Sequence, residues 1–249
     1  MVNNFLHTLA VFAGLIIILP VILGSILVAI SRANKSASVL LSGFYGQIIF
    51  GGIGVIIHEM SHLILAVIFG HHIQSVSLLH IPDSHDPRDR GLGYVGHTWN
   101  DNNLYQKIGN VFIGIAPVIG CSLAMIWSTR LLVPSFYNQW LVAIGGRQIT
   151  EHPIAWWQWG LWIVLMINIS IGGFDLSAAD LQNSRQGIVA LIIVITLTAF
   201  LSSLIVNYQT IYAKLSQIIG PLMWMLIFAI AINAGLWLIM RIGVRLRSR

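Results

Sequence analysis

Long apolar runs alternate with short polar breaks along the chain, and six runs stand out: roughly 5–30, 38–70, 106–133, 154–173, 187–207 and 219–241. At about 1.5 Å of rise per residue, each run is long enough as a helix for ~30 Å of hydrocarbon, and the first two exceed it. The pattern predicts an all-α polytopic membrane protein of about six transmembrane helices, with a single membrane-embedded domain over 1–249. The N-terminal run lacks a basic leader and is too long for a signal peptide, so it is expected to remain as a span. No internal repeat or low-complexity tract interrupts the pattern.

The longest polar stretch, 71–105, departs from it. Gln74 to Leu79 and Leu92 to Gly96 look like short strands around the turn-rich residues from Pro82 to Gly91, which predicts a small β-hairpin after the second span. An exposed edge of such a hairpin could pair with an extended peptide; a plain connector is the alternative.

Composition strengthens the membrane reading, because 57% hydrophobic and 8% charged residues, with a mean hydropathy of +0.83, leave too little polar surface for a soluble domain of this size. A net charge of +5 would suggest nucleic acid in a soluble chain. Here four of the thirteen basic residues form the tail Arg241, Arg245, Arg247 and Arg249, which reads as an anchor on anionic lipid, so the bilayer and not nucleic acid is the expected partner. The single cysteine, Cys121, excludes an internal disulfide and a cysteine-based zinc cluster, and fits a packing role.

Six alternating spans would put both termini and the 71–105 and 174–186 loops on one side, with Arg88, Arg90, Lys107, Arg185 and the four tail arginines. Arg32, Lys35, Arg130, Arg147 and Lys214 would lie on the other. That balance favours cytoplasmic termini and a cytoplasmic opening of any site near the 71–105 loop.

The chemistry is concentrated in the second run, where His58-Glu59-Met60-Ser61-His62 forms an H-E-x-x-H motif among apolar residues from Gly51 to Gly70. On a helix, positions i and i+4 share a face, so both imidazoles can reach one ion with Glu59 beside it as general base. Ionisable side chains in hydrocarbon cost about 2.5–3.5 kcal/mol each on insertion scales, so idle ones are rare. A catalytic zinc needs a third protein ligand and one open position for water. Of the eight acidic residues, Glu151 falls on the opposite side by this topology, and Asp83, Asp86, Asp89 and Asp101 belong to the solvated polar loop. Asp175 and Asp180, just past the fourth run, remain. His71 and His72 read as solvated interfacial residues, and His80, His85 and His97 as loop residues. Trp156, Trp157 and Trp159 fit an interfacial aromatic belt.

An H-E-x-x-H motif in a membrane helix, followed by an aspartate after a later span, resembles the site-2 protease class of intramembrane zinc metalloproteases. The resemblance covers about Gly51 to Gly187. In that class the third ligand is usually the aspartate of an L-D-G motif preceded by an asparagine-containing stretch. Here Asn168 precedes Phe174-Asp175-Leu176, which departs from that motif, while Ser177-Ala178-Ala179-Asp180 is similar to the S-x-x-D element of divergent members. The resemblance implies zinc held by His58, His62 and Asp180, with Asp175 as the alternate. It also implies hydrolysis of membrane-spanning or membrane-associated protein or peptide substrates by metal-activated water. Ser177 is placed to cap a helix that starts at Asp180's turn. The run from Gly114 to Gly120 is similar to the Pro- and Gly-bearing span beside the metal helix in these proteins. Pro117 frees a helix carbonyl there, and with Gly114 could admit substrate backbone; a packing kink is the other reading.

Two other readings stay open. A prenyl-processing or heat-shock type of membrane zincin uses a downstream glutamate as third ligand, and Glu151 is the only one here. A non-catalytic metal-binding membrane protein, a transporter or pseudo-protease, would also place histidine and aspartate at mid-membrane depth.

Overall fold

The computed structural model describes residues 2–81, 91–149 and 153–247. Among these residues the fold is a polytopic bundle of helices with one small antiparallel sheet. A first continuous helix of 41 residues, Val2–Ser42, comprises α1 (Val2–Phe12), a π-helical stretch (Ala13–Ile18) and α2 (Leu19–Ser42). The widened stretch directly precedes Pro20, whose missing N–H and bulky ring would otherwise break the ladder. The turn into the next helix, α3 (Phe44–Ile68), is made by Gly43 at φ 75°, a conformation costly for a residue with a Cβ.

This corrects the expected boundary between the first two spans. Residues 31–37 contain no glycine or proline, and the chain runs through them as helix to Gly43. Arg32 and Lys35 therefore do not mark a turn on the face opposite the 174–186 loop; both touch Asp175 in that loop. Likewise Asn4 bonds to the carbonyls of Ser203 and Val206 and accepts from the Tyr208 amide, which sets the N-terminal turn beside the corner after residue 205. The strict alternation of six spans does not describe this packing.

Among the described residues, five helices are long and apolar enough to cross a membrane: Val2–Ser42, Tyr45–Ile68, Leu104–Leu132, Gly187–Ile205 and Tyr208–Arg247. The fourth apolar run forms α6 (Trp156–Gly172), whose 17 residues reach about 25 Å, short of a full hydrocarbon thickness. The remaining helices are α4 (Leu104–Leu132), the short α5 (Pro134–Ala143), α7 (Ala178–Ile205) and α8 (Tyr208–Arg247). Many large apolar side chains point outward, among them Leu131, Val189 and Ile193, while Ser31, Asn34, His58, Glu59 and Asn233 are buried. That inverted distribution suits lipid outside and polar contacts within.

The expected hairpin is present: β1 (His72–Ser77) pairs antiparallel with β2 (Tyr94–Thr98), His72 opposite Thr98 and Ser77 opposite Tyr94, with an irregularity between Ile73 and Ser75. Both strands are shifted by about two residues from the sequence reading, and the turn residues 82–90 lie outside the described residues. α3 enters the hairpin through a glycine C-cap. Gly70 adopts φ 70°, its N–H donates to Val67 O, and the His71 N–H reaches Ala66 O, so the last carbonyls of α3 are satisfied.

The helices that carry the site approach closely. A methyl at Gly54 of α3 would collide with Asn168 O of α6, and one at Gly172 would collide with Gly51 O. Gly114 of α4 lies against Asp180 O and Ser184 Oγ of α7 in the same way. These bare positions let three helix backbones converge on the H-E-x-x-H turn.

Candidate metal centre

His58 and His62, one turn apart on α3, turn their Nε2 atoms toward each other at 3.2 Å. Each ring is held from behind by a backbone carbonyl: His58 Nδ1 donates to Gly173 O at 2.9 Å and His62 Nδ1 to Ile113 O at 2.8 Å. A carbonyl only accepts, so in the neutral rings both protons sit on Nδ1 and both Nε2 lone pairs face the same point.

Asp180 closes the group. Its Oδ1 lies 3.2 Å from His62 Nε2 and its Oδ2 3.9 Å from His58 Nε2. Two atoms bound ~2.1 Å from one tetrahedral ion lie about 3.4 Å apart, so these separations match the edges of a three-ligand site. Three electron-pair donors thus converge with no proton between them. A proton on one ring could relieve one pair, whereas a cation satisfies all three. Among the described residues, His58, His62 and Asp180 form a group that could hold a metal ion.

Local sequence places the carboxylate. Ser177 is the N-cap of α7, its Oγ accepting from the Asp180 amide at 3.1 Å while Asp180 Oδ2 accepts from the Ser177 amide at 2.6 Å. This reciprocal cap fixes the side chain on a rigid first turn, as the S-x-x-D spacing predicts. Gly114, which leaves room for that turn, sits directly beneath it.

Asp175 is not part of this group. It is bound by Arg32 Nε at 2.9 Å and Lys35 Nζ at 2.8 Å, and Arg32 also donates to Leu176 O. Burial pushes its carboxyl up, but the two cations outweigh that and hold it below the usual carboxylate range. Asp175 thus ties the α6–α7 corner to α2, and the expectation of Asp175 as an alternate ligand is corrected.

Glu59 is buried and shares a cavity of about 170 Å³ with the three ligands, Tyr94, His97 and Asn183. The hairpin roofs this cavity: a methyl at Gly93 would lie 2.7 Å from Glu59 Cγ, so a glycine is needed where the chain entering β2 crosses the carboxylate. A second cavity of about 280 Å³, near Arg130, Pro134 and Gln158, has no histidine, cysteine or carboxylate among the described residues that line it.

Gly114 and Pro117 do not form an open groove. Both are buried in α4; α7 fills the face of Gly114, and the carbonyl that Pro117 frees, that of Ile113, is taken by His62. Glu151 lies outside the described residues, as do Asp83, Asp86, Asp89 and His85.

Sequence reasoning missed two histidines. His71 is buried, its Nε2 donating to Gln106 O at 2.9 Å, and its Nδ1 lies 3.0 Å from Nδ1 of His97. Because His71 is committed as donor on Nε2, His97 must donate on Nδ1, which leaves His97 Nε2 without a proton, in a residue that lines the same cavity. Burial lowers the pKa of His71; burial and then the neighbouring His71 lower that of His97 to about 4. Only the proximity of His71 to the glycine cap of α3 hinted at this in the sequence. Cys121 packs under the site and donates to Gly173 O.

Set against family models, curated proteins and solved structures, the chain matches none of them.

Proposed function

We propose that this protein is an intramembrane zinc metalloprotease that hydrolyses peptide bonds of membrane-spanning or membrane-associated substrates. The observation that carries the reading is the convergence of His58 Nε2, His62 Nε2 and Asp180 in one cavity with a buried Glu59 that is not among the metal-ligating atoms. A pure binding site has no use for a fourth ionisable group kept beside its ligands, whereas hydrolysis needs a base there.

Zinc held by these residues would supply a polarising charge for the scissile carbonyl and bring a water molecule's pKa towards ~7. The chain's own groups do the rest. Glu59 accepts the proton of the attacking water and returns it to the leaving amine. The Gly173 and Ile113 carbonyls keep both imidazoles in the orientation that leaves Nε2 free. The hairpin above Glu59 pairs β1 only with β2 among the described residues, so each strand keeps an outer edge, and an extended substrate segment can add there. A helical substrate must unwind first, since its peptide bonds are shielded by their own hydrogen bonds, and helix-destabilising residues near the cut lower that cost.

The test is zinc-loaded wild-type protein against Glu59→Gln, reconstituted with a tagged transmembrane substrate. Cleavage by the wild type alone supports the protease. Zinc bound with no cleavage by either supports a non-catalytic metal-binding protein, and metal flux in sealed vesicles would favour a transporter.

A further inference from the structure

The α4 helix runs unbroken from Leu104 to Leu132 with a proline in its interior at Pro117. A proline there has no N–H to give to the carbonyl four residues earlier, and its ring crowds that carbonyl outward. The carbonyl in question belongs to Ile113, and it is the one that accepts from His62 Nδ1 at 2.8 Å. Ile113 is 1% exposed, so no water is at hand to satisfy it, and an unpaired carbonyl in an apolar interior is costly. The helix defect and the ligand orientation are two ends of one hydrogen bond.

His58 is served by the same device in a different form. Its partner, Gly173 O, lies past the last turn of α6, where a carbonyl has no helical N–H to accept from. Each metal-facing imidazole is thus held by a carbonyl that a helix has released, by an internal proline in one case and by a terminus in the other.

We propose that Pro117 is a positioning residue for His62: by withholding an amide from Ile113 O it reserves that carbonyl for the Nδ1 proton and so keeps Nε2 unprotonated toward the metal. This rests only on the metal-binding part of the reading above, not on proteolysis. Restoring an amide at 117 gives Ile113 O a competing donor along the helix axis and draws it back from His62. A ring freed from its carbonyl can move its proton to Nε2, where it blocks the ion.

The experiment uses the full-length chain in detergent or nanodiscs, as wild type, Pro117→Ala and Pro117→Gly. Pro221→Ala is the control, since it restores an amide inside α8 away from the site. Zinc affinity is measured by chelator competition, and the histidine ring nitrogens of the metal-free protein are followed by ¹⁵N NMR, with His62 assigned by its loss in a His62→Gln sample. The proposal expects both Pro117 variants to bind zinc about 10-fold more weakly, within the range for groups that orient a ligand, and Pro221→Ala to be unchanged. It also expects wild-type His62 to carry its proton on Nδ1, and the variants to shift toward Nε2. Variants with wild-type affinity overturn it, as does a neutral His62 that carries its single proton on Nε2 and not on Nδ1 in the metal-free wild type, a measurement that needs no variant to fold. Since no readout involves cleavage, a protein that behaves as expected here yet cuts nothing removes the protease reading and leaves this one standing.

Discussion

Asp180 Oδ1 sits 3.2 Å from His62 Nε2, whereas Asp175, five residues earlier, is turned away onto Arg32 and Lys35. The two carboxylates share one short corner and have opposite partners, one a pair of histidine ring nitrogens and the other a pair of permanent cations. A metal ion is the natural completion of the first arrangement, while the second is already complete.

Replacing each aspartate separates these roles. Asp180→Ala removes a ligand and should lower zinc affinity by more than about 100-fold, a larger effect than loss of a group that only orients a ligand. Asp175→Asn should keep zinc bound and cost about 1 kcal/mol or less, because its cationic partners are substantially exposed. Metal analysis of the purified variants decides the matter; stoichiometric zinc in Asp180→Ala would remove it from the site.

Glu59→Gln preserves size and buried volume while removing the carboxylate proposed as base. Zinc content should match the wild type and cleavage of a membrane substrate should fall by about 10²–10⁴-fold, the usual contribution of general acid–base catalysis. Turnover within a few-fold of wild type would show that another group moves the proton.

Side chains added at Gly54 or Gly114 should disturb the site from a distance. A Cβ at Gly54 meets the backbone carbonyl of Asn168, and one at Gly114 meets that of Asp180, and backbone cannot swing aside. Gly54→Val and Gly114→Val should each cost at least the ~1–3 kcal/mol typical of overpacking. Gly114→Val should also weaken zinc binding, because it pushes directly on the turn carrying Asp180. Thermal unfolding with and without zinc reads both effects. An unchanged midpoint in either variant would contradict the close helix approach.

The His71–His97 pair predicts a pH dependence of the hairpin. Both groups are depressed below the 6.5 of an ordinary imidazole, by burial first and, for His97 at about 4, by His71 as well. Between those values the unfolded chain binds more protons than the folded one, so the stabilisation is fully present above pH 6.5 and is lost as pH falls toward 4. Amide exchange in β1 and β2 should quicken over that window, and less so in His97→Asn. Exchange independent of pH, once corrected for its intrinsic rate, would count against a neutral histidine pair.

Much of the architecture was legible in the linear pattern, because a bilayer permits few solutions for backbone polar groups and long apolar runs must become helices. The H-E-x-x-H spacing alone put His58 and His62 on one face, and the S-x-x-D spacing alone described the cap that holds Asp180. These are local relations, set within one or two turns of helix.

Relations between distant segments were decided only by the tertiary packing. Counting spans placed Arg32 and Lys35 away from Asp175, since nothing local says that the helix continues to Gly43 and brings them there. The choice of Asp180 over Asp175 follows from that contact. The buried role of His71 depends on a carbonyl supplied by α4, and the use of Ile113 O depends on which ring of α3 faces it. Helix geometry is dictated by neighbours in sequence, but the partner of a freed carbonyl or a buried charge is whichever group the folded bundle carries to it.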